Sequence, residues 1–171
     1  AYSGDAATIA QRFPFTGRYV GELEQRGKRV HADLAARIAA KPPVGFSVLY
    51  EQMDGLKGRD QAIATALIVT SETVSTEDFG DVTKVLALVR AQALFFDFKT
   101  QTVVRAYPLS FASIKLFRDT DPTDTDRLEL IRRVFEGQGG KPGILQRYAD
   151  ALAAASVPDQ VSRTIQVADI Q

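Results

Sequence analysis

The residues able to do chemistry are few. The chain holds one histidine, His31, and no cysteine. Any Ser-His-Asp relay would run through His31, because the relay needs an imidazole to move the proton. His31 follows Val30 at the start of a helical stripe, and Asp33 lies too close in sequence to orient the ring well. A boundary histidine is the plainer reading. The lack of cysteine excludes disulfides, thiolate metal sites and a thiol nucleophile in this chain.

Asp119, Asp121, Asp124 and Asp126 resemble a cation loop in spacing. A calcium-binding helix-loop-helix needs Gly at its sixth position and Glu at its twelfth. Counted from Asp119, those positions are Asp124 and Leu130, so the pattern fails. Acids at a helix start complement its dipole instead. The run Gly137-Gln138-Gly139-Gly140-Lys141-Pro142-Gly143 has the glycines of a phosphate loop. There, however, Lys must be followed by Ser or Thr at the opening of a helix. Pro142 also removes a backbone N–H that an anion would use. Glu51, Asp54, Asp60, Glu72 and Glu77 could serve acid–base work only if two of them met in a site that splits their pKa values. As loop acids, most are expected to be solvated. Glu72 differs, because an acid within an apolar strand must face solvent or a partner, and Arg90 and Arg105 are the candidate partners across strands. Tyr50, Glu72, Arg90 and Arg105 are therefore the candidate ligand pocket. No residue is assigned to catalysis, a metal or a cofactor.

Bulk composition bounds the rest. The chain has 171 residues, 45% hydrophobic and 25% charged, with 21 basic and 21 acidic side chains. A single domain over residues 1–171 with a real core is expected, since a chain of this size buries roughly two-thirds of its unfolded surface. Net charge is zero, and the densest basic segment holds only Arg26, Lys28 and Arg29. Phosphate backbones require clustered cations, so nucleic acid is not an expected partner. No segment approaches the ~20 apolar residues of a membrane helix. The chain begins Ala1-Tyr2-Ser3 rather than with Met. A removed leader and export are the expectation, and a further part beyond Gln171 is allowed for.

The elements that would position these groups follow from periodicity. Residues 1–27 read as a docked arm, with Pro14 and Gly17 breaking regular structure; Tyr2, Phe13, Phe15 and Tyr19 are expected to staple it to the core rather than form an exposed aromatic patch for a partner. Lys28 to Ala40 reads as a helix, with Val30, Leu34 and Ile38 on one stripe and Pro42-Pro43 beyond its end. Gly45 to Glu51 reads as a strand, Asp54 to Asp60 as a loop, and Gln61 to Ala66 as a helical turn. Leu67 to Val74 is strand-like and Ser75 to Asp81 a polar connection. Thr83 to Phe98 alternates with both faces apolar in its first half, which predicts cover on both sides, and its Ala-rich odd face predicts a closely packed helix. Asp97 opens a turn, and Thr102 to Phe111 returns as a strand that Pro108 marks as an edge or a bulge. In that strand Val103, Arg105, Tyr107, Leu109 and Phe111 are expected on one face, with Val104 and Ala106 on the other. Thr123 is the expected N-cap of a helix, with Asp126 as capping-box partner and Gly137 as its end. Ile144 to Ala155 is another helix, and Val161 to Val167 a last short strand.

Ala66 to Thr70, then Val85 to Thr100 with Asp97 and Thr100 at the turn, then Val103 to Tyr107, resemble a pattern in bacterial envelope proteins. These are the curli-secretion lipoprotein family, its relatives that activate cell-wall synthases, and the N-terminal domain of the Tol β-propeller protein. The pattern spans Gln61 to Phe111, and Gln101 stands where those families place Gly. The resemblance implies a periplasmic or secreted, non-enzymatic assembly role. The expected fold is α/β or α+β, with about three helices packed on a largely antiparallel sheet built round a long central hairpin. The expected function is protein binding in the cell envelope, with a homo-oligomer possible. Small-molecule binding is the alternative, and a hydrolase using acidic residues ranks third.

Overall fold

The computed structural model describes residues 6–44, 48, 63–97 and 102–155. Their order is α1 (Ala6–Arg12), α2 (Pro14–Gln25), α3 (Val30–Ala40), β1 (Ile63–Asp78), β2 (Val82–Asp97), β3 (Thr102–Arg118), α4 (Asp124–Glu136), β4 (Gly137–Gln138), β5 (Lys141–Pro142) and α5 (Ile144–Ala153). The fold is α+β, with an antiparallel sheet in the order β1-β2-β3.

The β2–β3 hairpin forms as the alternation requires. Val85, Ala87, Val89, Ala91, Ala93 and Phe95 are all buried on one face, here called inner. Small Ala side chains let α4 and α5 approach closely, and both pack on β2 and β3. α2 packs on α4, and α3 packs on α5. The expected helix stripes are buried: Leu128, Ile131, Val134 and Phe135 on α4, and Leu145, Tyr148 and Leu152 on α5. Thr123 caps α4 as expected: its hydroxyl accepts from the Asp126 amide, while the Asp126 carboxylate accepts from the Thr123 amide. Gly137 ends α4 at φ 96°, a backbone conformation that suits glycine.

Four sequence expectations are corrected. The N-terminal arm is helical, because Pro14 sits at the first helical position, where its missing N–H costs nothing. Its aromatic residues do act as staples: Phe13 is fully buried, and Tyr19 stacks on Phe135 with centroids 5.0 Å apart. The expected helical turn at Gln61 to Ala66 is strand from Ile63 onward, since Ala64 and Ala66 pair with Phe96 and Leu94. The polar segment from Ser75 also stays in β1 as far as Asp78, paired against β2. The glycine-rich run after α4 is a tight hairpin, β4–β5, rather than a loose connection. The expected strands at Gly45 to Glu51, apart from Val48, and at Val161 to Val167, and the loop at Asp54 to Asp60, lie outside the described residues.

Two bulges set which side chains face which way. One falls between Val69 and Ser71 in the β1–β2 pairing, and the other between Phe95 and Phe96 in the β2–β3 pairing. An extra residue in one strand reverses the alternation beyond it. Val103 is thus exposed and lies opposite Phe96, while Val104 packs against the core. This exchanges the two residues relative to the uninterrupted alternation.

Candidate functional site

The candidate surface is the outer face of the sheet. Rows across it read Glu77–Lys84–Leu116, Ser75–Leu86–Ile114, Thr73–Leu88–Ala112 and Ser71–Arg90–Ser110. They continue through Ile68–Gln92–Pro108, Ala66–Leu94–Ala106 and Ala64–Phe96–Val103. Among the described residues the helices that contact the sheet pack on its inner face, and the outer positions Leu86, Leu88 and Leu94 of β2 are half-buried. Ile114 is 56% exposed and Leu116 63% exposed. Each strand has 16 or 17 residues. At ~3.3 Å per residue and ~4.8 Å between strands, the face measures about 50 by 14 Å. That is roughly 700 Å² in plan, and 13 of the 21 positions in these rows are apolar, which leaves about 400 Å² of apolar surface, the size of the largest patch on a typical monomer and often a functional one. Lys84 is paired with Glu77 at 2.6 Å and lies over the Phe79 ring. Arg90 sits at the middle of the face, and its side chain has no hydrogen-bond or ion-pair partner among the described residues.

Of the four candidate pocket residues, Tyr50 lies outside the described residues. The other three are not brought together. Arg90 is on the outer face. Glu72 lies opposite Val89 and Arg105 opposite Phe95, both inner positions six residues apart, or ~20 Å along the strand. Arg105 donates to the Tyr107 hydroxyl at 2.8 Å and caps that ring.

Glu72 does find a partner, but a different one. Its carboxylate accepts from the Phe15 amide at 3.0 Å and from the Thr16 amide at 2.6 Å. A helix start leaves its first amides without intrahelical partners. In α2, Pro14 has no N–H and Gly17 already donates to the Phe13 carbonyl. Glu72 therefore satisfies the two that remain, from a strand distant in sequence. Several other acids are also engaged in structure. The Lys115 ammonium, 2.7 Å away, and the Thr123 hydroxyl hold the Asp126 carboxyl far below the usual carboxylate range. Glu22 and Glu129 both hold Arg132 at 2.8 Å. Tyr19 donates to Glu136 at 3.2 Å, and burial first, then that carboxylate, pushes its hydroxyl far above its ordinary range. No group of three His, Asp or Glu residues suited to a metal ion occurs among the described residues.

A groove of about 890 Å³ lies between α2, α3 and the start of β1. Val20, Leu34, Leu67, Val69 and Phe135 form its apolar wall, and His31 stands at its exposed rim. No local pattern signals this groove, because its lining comes from five separate elements. Thr65 and Tyr148 share a hydroxyl hydrogen bond of 2.8 Å in it. Thr16 is 1% exposed and its hydroxyl has no partner among the described residues. No helix among the described residues is long and apolar enough to cross a membrane. No family model, curated protein or solved structure matches the chain.

Proposed function

We propose that the protein is a non-enzymatic binding module of the bacterial cell envelope that docks another protein on the outer face of its sheet. The observation that carries this reading is the long outer face that the described helices leave open, apolar at most of its positions, with Ile114 and Leu116 exposed and the unpaired Arg90 at its middle. Apolar surface of that extent favours association, because covering it releases water. Arg90 adds specificity, since a partner presenting a carboxylate opposite it is preferred over one presenting a cation. The envelope location rests on the resemblance of the hairpin to the secretion and assembly proteins.

The test is a photocrosslinking amino acid placed at Leu88 or Ile114, with Arg147 on α5 as the control position. The expected result is one protein joined from both outer-face positions and not from the control. Leu88→Lys then weakens that partner's binding at least ~30-fold, as loss of a central contact does. Equal labelling at all three positions refutes the reading.

A second reading, small-molecule binding, is favoured by the unsatisfied Thr16 hydroxyl in the groove. A buried hydroxyl without a partner costs stability. Thr16→Val should therefore melt at or above the wild-type temperature, yet lose the stabilisation given by compounds found in a thermal-shift screen of the wild type. If no compound is lost with the hydroxyl, the groove is structural.

A further inference from the structure

We infer that two copies of this chain pair through the edge of β3, antiparallel about Ser113, to make one continuous six-stranded sheet. The sheet has two edges, and only one offers a clean ladder. On β1, the bulge at Thr70 interrupts the edge, and the Arg12 guanidinium occupies the Thr70 carbonyl at 3.3 Å. On β3, Pro108 and the bulge beyond it block the first half. Leu109 to Phe117 remains. Every second N–H and C=O of this stretch faces away from β2, and no described strand receives them. The stretch holds a single charge, Lys115, which Asp126 neutralises from the same chain, and an edge of this length without a free charge invites another strand.

The side chains suit a second copy in one register. With Ser113 opposite its own symmetry mate, Ile114 lies beside Ala112 of the second copy, and Leu116 beside Ser110. On the inner face, Phe117 lies beside Leu109, and Lys115 beside Phe111. Large residues meet small ones on the outer face, and no like charges are opposed. Lys115, the one charge within the stretch, is already held by Asp126 at 2.7 Å and lies 4.5 Å from the centre of the Phe117 ring. An antiparallel pair of identical strands closes on itself, so the contact yields a dimer and not a fibre. The ladder is about 30 Å long, and at a sheet thickness of ~10 Å it covers roughly 300 Å² per copy. That is below a standard permanent interface, so the dimer is weak and concentration-dependent.

Because the chain has no cysteine, a single introduced one reports the register. Paired residues in an antiparallel ladder have Cα atoms ~4.5–5.5 Å apart, within disulfide reach. Ser113→Cys, treated with copper–phenanthroline at high protein concentration, should give a covalent dimer. Ile114→Cys and Ser110→Cys should not, whereas the Ala112→Cys/Ile114→Cys double variant should. Sedimentation of the wild type should move from 18.7 kDa toward twice that mass as concentration rises to several hundred micromolar. A wild type that stays monomeric throughout that range overturns the inference. So does crosslinking that is equal at positions 110, 113 and 114, which would show collision rather than a fixed register.

Discussion

Glu72 offers the sharpest test of how this fold is held together. Replacing it with Ala removes the acceptor for two amides at the start of α2, at 3.0 and 2.6 Å. Hydrogen bonds to a charged group are worth about 1.5–3 kcal/mol each, and loss of a helix cap typically costs ~1 kcal/mol. Glu72 is half-buried, so water reaches part of the freed site and the two bonds do not count in full. We expect Glu72→Ala to cost about 2 kcal/mol, and Glu72→Gln about 1 kcal/mol, because the amide keeps one acceptor oxygen. For a chain of this size that is a fall of roughly 4–8 °C in Tm for the Ala variant. Urea unfolding followed by circular dichroism measures the change, and amide exchange at Phe15 and Thr16 locates it. Glu77→Ala is the control, since it removes an exposed ion pair on the same strand and should cost under ~1 kcal/mol. If Glu72→Ala is no worse than Glu77→Ala, or if Phe15 and Thr16 keep their exchange protection, the carboxylate does not cap α2.

One further prediction concerns pH. The Asp126 carboxyl titrates far below its unfolded value near 3.9, so the stability it adds is present above about pH 4 and is lost as pH falls below that. Asp126→Asn should lower Tm at pH 7, and the gap between variant and wild type should close steadily below pH 4. A gap that is constant from pH 7 to pH 2 means the Lys115 and Thr123 contacts add nothing that depends on charge.

Much of the fold was legible because local and long-range signals agreed. On β2, the alternation of Val and Ala with larger residues specified both the strand and the side on which helices pack. On α4, Thr123, Asp126 and Gly137 carried the start and stop signals in their own side chains. The N-terminal arm was not legible, and the reason is physical. Pro14 and Gly17 read as breakers until the helix start is known to fall at Pro14, and the carboxylate that caps that start, Glu72, is 56 residues from Thr16. Ala64 and Ala66 misled for a related reason: alanine prefers helix, but pairing with Phe96 and Leu94 decides its state.

The candidate pocket turned on a single residue. On β1, Thr65, Leu67 and Val69 face inward, at odd positions. Without the bulge at Thr70, Ser71 would follow them inward and Glu72 would turn outward, to the face that carries Arg90. A cross-strand pair between Glu72 and Arg90 would then be geometrically available. The bulge shifts the register by one, so Glu72, Val74 and Thr76 take the inner face. Glu72 meets the helix start in place of the guanidinium, and Arg90 is left with its charge free at the middle of the outer face, between Ser71 and Ser110. Thr70 signals this weakly, since its β-branched side chain suits a strand on either count; its hydroxyl donates to the Arg90 carbonyl at 3.1 Å, a contact that depends on both strands being in place. The same insertion that gives α2 its cap therefore leaves Arg90 available to a partner, which ties the stability of the inner layer to the chemistry of the outer face.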